Sequence, residues 1–371
     1  MLSERFPARF CATLAVVGLS WSAGCDDEQA GTDTLTLSDT VPTETETETE
    51  TETETETETE TETGEVTVTP TPILLTVTLH LENNTFNAAY FTALDTFAKT
   101  FEAHGGRLTF EPRDQVVTAA AGPPQLFDWR TLEARGHAVG SHAAIGGTNA
   151  MSLATFTAQA KMRYEQLVTK VDVLAHISGN CGNVDWVTGV TAAGFHATTA
   201  ATVLCLLAIP AADRPAEYQS LVCNGATDPV CHQSYPSALA DRIHPWRAKD
   251  GAHWLTHDAT GPLVIFPGSG TLPCLDEEAT HTGPGLPTCT LTQADITRAM
   301  ADLDGAIALA DPTRVNTFYW VWGSWKLSAA EQPVLEDFLA AVDARIARGQ
   351  VQWANLHEML TAFTAWESAS P

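Results

Sequence analysis

A chain of 371 residues, 44% of them hydrophobic and with a formal net charge of −27, can bury a large core but is too acidic to attract a nucleic-acid backbone. The acid is unevenly placed: residues 26–69 hold 16 Asp and Glu and no Lys or Arg, which leaves −11 of the −27 to the rest of the chain. Nucleic acid is thereby excluded as a partner, while no particular substrate is selected.

The chain opens with Arg5 and Arg9 in a short polar start, then an apolar run from Cys11 to Leu19, then small residues before Cys25. The run is too short to span a bilayer and suits a signal peptide. Residues 1–24 resemble a bacterial lipoprotein signal, with Ser22-Ala23-Gly24-Cys25 as the processing motif. The resemblance implies export, lipidation of Cys25 and attachment to the membrane of the cell envelope. An ordinary secretory signal with a chance cysteine is the alternative. Residues 25–70 read as a tether. Thr43–Thr63 is a strict Thr-Glu alternation with no apolar face, so nothing offsets the entropy of ordering it, and the like charges stretch it.

Residues 71–371 read as one globular domain of alternating strands and helices. Ile73–Glu82 is a strand, and Ala88–His104 has helical spacing, with Phe91, Leu94, Phe97, Ala98 and Phe101 on one face. Strands follow at Arg107–Glu111, His137–His142, a segment ending near Ser178, and Phe195–Thr199. Later strands are Leu263–Phe266, Asn316–Val321 and Val351–Ala354. Helices are expected at Asp128–Arg135, Ser152–Leu174, Val184–Ala193, Gln293–Ala310 and Ala329–Arg348. Repeated strand–helix units predict an α/β fold, an incomplete (β/α) barrel of about seven parallel strands ringed by helices.

Of the 8 cysteines, Cys11 falls in the leader and Cys25 is the expected anchor; Cys181, Cys205, Cys223, Cys231, Cys274 and Cys289 remain. An even set in an exported domain suggests disulfides, and pairing neighbours in sequence gives 181–205, 223–231 and 274–289. No C-x-x-C pair supports a cysteine zinc site.

Sites in such barrels lie at the C-terminal strand ends. The first strand ends His80-Leu81-Glu82, whose alternation puts His80 and Glu82 on one face; the second ends at Glu111 and the third at His142. His80, Glu82 and His142 have the ligand types of a divalent metal, zinc first among them. Glu82 and Glu111 are the candidate catalytic carboxylates, with a buried pair or a loop cap as their structural alternatives. His137 points to the opposite face. His176, Trp186 and Trp325 are candidate substrate contacts, though Trp186 also fits a core position behind a capping Asp185.

Residues 74–142 resemble the start of the polysaccharide deacetylase superfamily, carbohydrate esterase family four. Leu132-Glu-Ala-Arg-Gly-His-Ala-Val-Gly-Ser-His142 resembles the family segment in which Gly-His precedes a metal-binding histidine, and Leu108-Thr109-Phe110-Glu111 resembles its Thr-Phe-Phe strand. The resemblance implies a divalent metal, an aspartate base, a late histidine acid and hydrolysis of N-acetyl groups on an envelope or extracellular glycan. The chain departs from that pattern. His80-Leu81-Glu82 stands in place of two aspartates, Gly146 in place of the second histidine, and Tyr319–Trp325 contains no histidine. Only His142 carries over directly. Three readings follow: a deacetylase-like hydrolase with an altered ligand set, a degenerate barrel that binds carbohydrate without turnover, or a metal-independent amide hydrolase on the same fold.

Overall fold

The structure is a computed structural model, and it describes residues 71–82, 85–199, 201–225, 229–232, 243–280, 289–323, 328 and 330–369. The expected leader, the tether, Cys25 and Trp325 lie outside the described residues.

Strand β1 (Ile73–Leu81) sets the plan. Ile73, Leu75, Val77, Leu79 and Leu81 enter the main apolar cluster, while Thr76, Thr78 and His80 alternate onto the other face, also buried. A strand buried on both faces belongs inside an α/β fold. Helix α1 (Ala88–Glu102) starts where the Asn87 side chain accepts from the Tyr90 N–H, and it buries the five residues its spacing marks. Phe97 meets Trp322 at 5.0 Å and Phe101 meets Trp353 at 6.0 Å, edge to face.

Then come β2 (Thr109–Pro112), α2 (Asp114–Ala120), α3 (Arg130–Glu133), β3 (Ala138–Val139), β4 (Ser141–His142) and α4 (Leu153–Leu167). β5 (His176–Ser178), α5 (Trp186–Ala193) and β6 (Ala197–Thr198) follow. Next are α6 (Pro229–His232), β7 (Trp246–Ala248), β8 (Leu263–Ile265), α7 (Leu275–Thr280) and α8 (Gln293–Ala308). The chain closes with β9 (Thr317–Gly323), α9 (Gln332–Ile346), β10 (Val351–Trp353) and α10 (Leu356–Ala369).

The strands form two five-stranded sheets. In the first, β9 pairs along β1, and the other edge of β1 is shared by β10 near its start and β2 near its end, with β3 beyond β2. The second runs β4-β5-β6-β8-β7. Gly140 joins β3 to β4, so a single stretch of backbone passes from one sheet into the other. Between the remaining edges the described residues show one bridge, Thr271 to Val321. The expected α/β fold of parallel strands and helices is thus present, and among the described residues the strands lie in two sheets that do not close into one barrel. Among the described residues every strand pair is parallel except β7–β8, where the chain returns through a local loop rather than a helical crossover.

The three disulfides join Cys181–Cys205, Cys223–Cys231 and Cys274–Cys289. The first two tie down the long stretch after β6, whose 203–218 region consists of short 3-10 turns. Among the described residues no helix is long and apolar enough to cross a membrane.

Candidate metal centre

Register builds the site. The β1–β2 ladder sets His80 beside Glu111, and the β4–β5 ladder sets His142 beside Ser178. All four are buried, and each lies at the C-terminal end of its strand. Glycine makes room for the rings. A Cβ on Gly140 would lie 2.1 Å from His176 Nε2, and one on Gly179, itself at φ +61°, would lie 2.7 Å from the His142 ring.

One ligand atom each from His80, Glu111 and His142 fall within 4.8 Å of one another. His80 Nε2 is 3.0 Å from Glu111 Oε2, yet it is misaligned for a hydrogen bond and has no hydrogen-bond partner. The two imidazoles stack with centroids 4.3 Å apart. His142 Nε2 lies 2.9 Å from Glu82 Oε1, and its Nδ1 lies 2.9 Å from Ser178 Oγ. Ser178 Oγ also donates to Glu111 Oε2, while Thr199 Oγ1 donates to Glu111 Oε1 at 2.7 Å. Outer partners of this kind fix ring orientation and carboxylate direction around metal ligands. Two imidazoles and one carboxylate are a donor set suited to zinc and its neighbours, and the orphaned His80 nitrogen fits a shared ion.

The charges are ordered. Burial opposes ionisation of Glu111, but its contacts with His80, the nearby His176 and the Ser178 hydroxyl hold it down at about 2. Burial likewise opposes the Glu82 charge, and His142 with His80 and Arg113 outweighs it, again holding the carboxyl at about 2. For His80 burial pulls downward, but Glu111 and Glu82 prevail and raise it. His142 is lowered by burial and by the neighbouring His80 charge, against the pull of Glu82. Stacked rings resist a double charge, and His142 is thereby favoured in the neutral form that ligates metals.

Behind Glu111, His176 Nε2 approaches Oε1 to 3.5 Å, and its Nδ1 meets His357 Nε2 at 3.3 Å. Burial lowers His176 to about 4, and burial with the adjacent His176 lowers His357 to about 3, so this pair is neutral near pH 7.

His80, Glu82, Glu111 and His142 all converge, but their roles shift. The compact ligand group contains Glu111 where Glu82 was expected. Glu82, with a side chain 36% exposed, sits at the mouth against both rings. A loop-capping role for Glu111 is corrected: its side chain is fully buried and its hydrogen bonds come from hydroxyls. Two substrate contacts are also corrected. His176 has no exposed surface and backs Glu111, and Trp186 is fully buried against Trp254 at 5.8 Å, following the Asp185 cap that accepts from the Thr188 N–H. His137 lies on the other face, where Nδ1 accepts from the Leu108 N–H and Nε2 meets Glu102. Thr199 and His357 were not singled out by sequence. Thr199 closes an expected strand, a usable signal; His357 sits at the start of α10, where the strand pattern gives none.

No known protein-family model matches the sequence, and no curated protein matches it either.

Proposed function

We propose that the domain is a divalent-metal hydrolase, with the ion held by His80, Glu111 and His142. One observation carries this: two imidazoles and a carboxylate from three different strands converge in a buried cluster, with hydroxyls fixing their outer atoms. A divalent ion bound there supplies Lewis acidity toward a carbonyl oxygen and toward water. The residues do the rest. Glu111 is locked between Ser178 and Thr199, His142 is braced by Ser178, and the half-exposed Glu82 carboxylate is placed to take a proton from water entering the mouth.

In this reading the strands stand as an incomplete barrel with its site at the C-terminal ends. The substrate is an N-acetylated glycan of the cell envelope or exterior, and this specificity rests on the resemblance of Leu108–Glu111 and Leu132–His142 to the deacetylase superfamily. Zinc is the first candidate ion. A glycan-binding role through aromatic stacking loses support at Trp186, which presents no face to solvent. Export behind a lipidated Cys25 is supported by Ser22-Ala23-Gly24-Cys25 and by the disulfides; Cys25→Ala should release the chain from membranes. The test of activity is acetate release from acetylated chitin oligomers by the zinc-loaded chain. Loss of turnover in Glu82→Gln with zinc retained supports the reading, and absence of turnover on every acetylated glycan supplied contradicts it.

A further inference from the structure

The β1–β2 ladder pairs His80 with Glu111 and Leu81 with Pro112, and the Arg113 N–H continues it by donating to the Leu81 carbonyl at 3.2 Å. One step further along this register, Arg113 stands across from Glu82. Its backbone is still extended, with φ −74° and ψ 164°, so the period-two alternation that turns Thr109 and Glu111 inward turns Arg113 toward the mouth as well.

This arginine differs from those that are locked in ion pairs. Arg107 is paired with Glu358, Arg130 with Asp172, Arg247 with Glu367 and Arg345 with Asp304. Arg113 Nε is buried without a hydrogen-bond partner, and among the described residues its guanidinium makes no ion pair within contact distance. Its charge nevertheless reaches Glu82 and helps keep that carboxylate ionised. Arg113 as a whole is half-buried, and a buried donor such as its Nε costs stability unless something fills it. It also follows the strand that supplies Glu111.

We propose that Arg113 is a substrate-binding residue of this site, and that it recognises a carboxylate on the substrate beside the group being hydrolysed. The planar guanidinium matches a carboxylate in a two-bond fork. A singly charged group suits the position better than a phosphate dianion, because the Glu82 carboxylate lies alongside. The inference rests on the metal-centre reading for the identity of the reacting end, and it narrows the substrate to acidic molecules, such as glycans bearing carboxylates.

The test uses the full chain, wild type and Arg113→Gln, with Arg113→Lys as a second variant. Each is titrated calorimetrically with acetate and with the dicarboxylates succinate and glutarate, in metal-free and zinc-loaded form. The expected result is that zinc-loaded wild type binds a dicarboxylate at least about tenfold more tightly than acetate, that Arg113→Gln abolishes this preference while keeping zinc, and that Arg113→Lys keeps part of it. Equal preference in wild type and Arg113→Gln overturns the proposal. So does a loss of zinc in Arg113→Gln with the preference intact, which makes Arg113 only a counter-charge for Glu82. If wild type takes up no zinc, the metal reading fails by itself. The metal-free titrations then decide for Arg113: a tenfold loss of acetate binding in Arg113→Gln upholds it, and no loss overturns it.

Discussion

Replacing Glu111 with Gln keeps the side-chain shape and removes its charge. In the native site Oε2 accepts from Ser178 and lies 3.0 Å from His80 Nε2, while Oε1 accepts from Thr199 at 2.7 Å and lies 3.5 Å from His176 Nε2. An amide nitrogen in either position meets a hydroxyl that can turn to accept, so part of the network survives. His80 loses the carboxylate that outweighs its burial and moves back toward neutrality, which avoids an uncompensated buried charge. The cost therefore lies below that of breaking a buried ion pair outright, about 3–5 kcal/mol, and above that of a relaxed hydrogen bond, about 1 kcal/mol. We expect about 2–3 kcal/mol, or about 3–5 °C in Tm for a domain of about 300 residues. The assay is thermal unfolding with and without zinc. At a hundredfold excess over Kd, zinc should add about 2.7 kcal/mol to the wild type and far less to Glu111→Gln. A variant within about 0.5 kcal/mol of wild type that gains equally from zinc refutes the reasoning.

Further predictions test the frame around the site. Gly140→Ala puts a methyl into the His176 ring and should cost about 1–3 kcal/mol in urea unfolding, with the double variant Gly140→Ala/His176→Ser recovering part of it; simple additivity sinks the clash argument. Among the disulfides, Cys181–Cys205 closes a separation of 24 residues and Cys223–Cys231 one of 8, so paired Ser substitutions at the first should cost about 1 kcal/mol more than at the second; equal losses count against the loop-entropy account. His104 joins the end of α1 to α9, and its pKa is raised above 6.5 by the Asp343 hydrogen bond, against burial and with help from Glu336. A raised folded pKa contributes stability that is complete below about pH 6.5 and lost as pH rises through the folded value. The advantage of wild type over His104→Gln should thus shrink on alkalinisation, from less than about 1 kcal/mol because both carboxylates are solvent-exposed; an advantage that grows with pH refutes the pairing.

Much of this was legible in the sequence because the signals are local. The period-two run of β1 and the Phe91–Phe101 spacing of α1 each carry their own burial pattern, and strand ends rich in His and Glu announce a rim. What was not legible depends on neighbours. Glu111 became a ligand candidate only through the His80 register across β1–β2, which no single strand encodes. β3, β4 and β6 are two residues long, too short for periodicity to count strands or to show that they belong to two sheets. Trp186 follows a strand end, as a rim residue does, yet the Asp185 cap starts a helix that turns the indole into the core. His357 reaches His176 from α10, 181 positions away, and only the folded chain makes that pair.

The central claim is most directly tested by the metal content of the purified full chain after dialysis against zinc and then buffer, beside His142→Ala and the exposed-site control His253→Ala, with circular dichroism to confirm that each is folded. The account predicts about one zinc per chain in wild type and control, and almost none in folded His142→Ala. A metal-free wild type, or a His142→Ala variant that keeps its zinc, contradicts it.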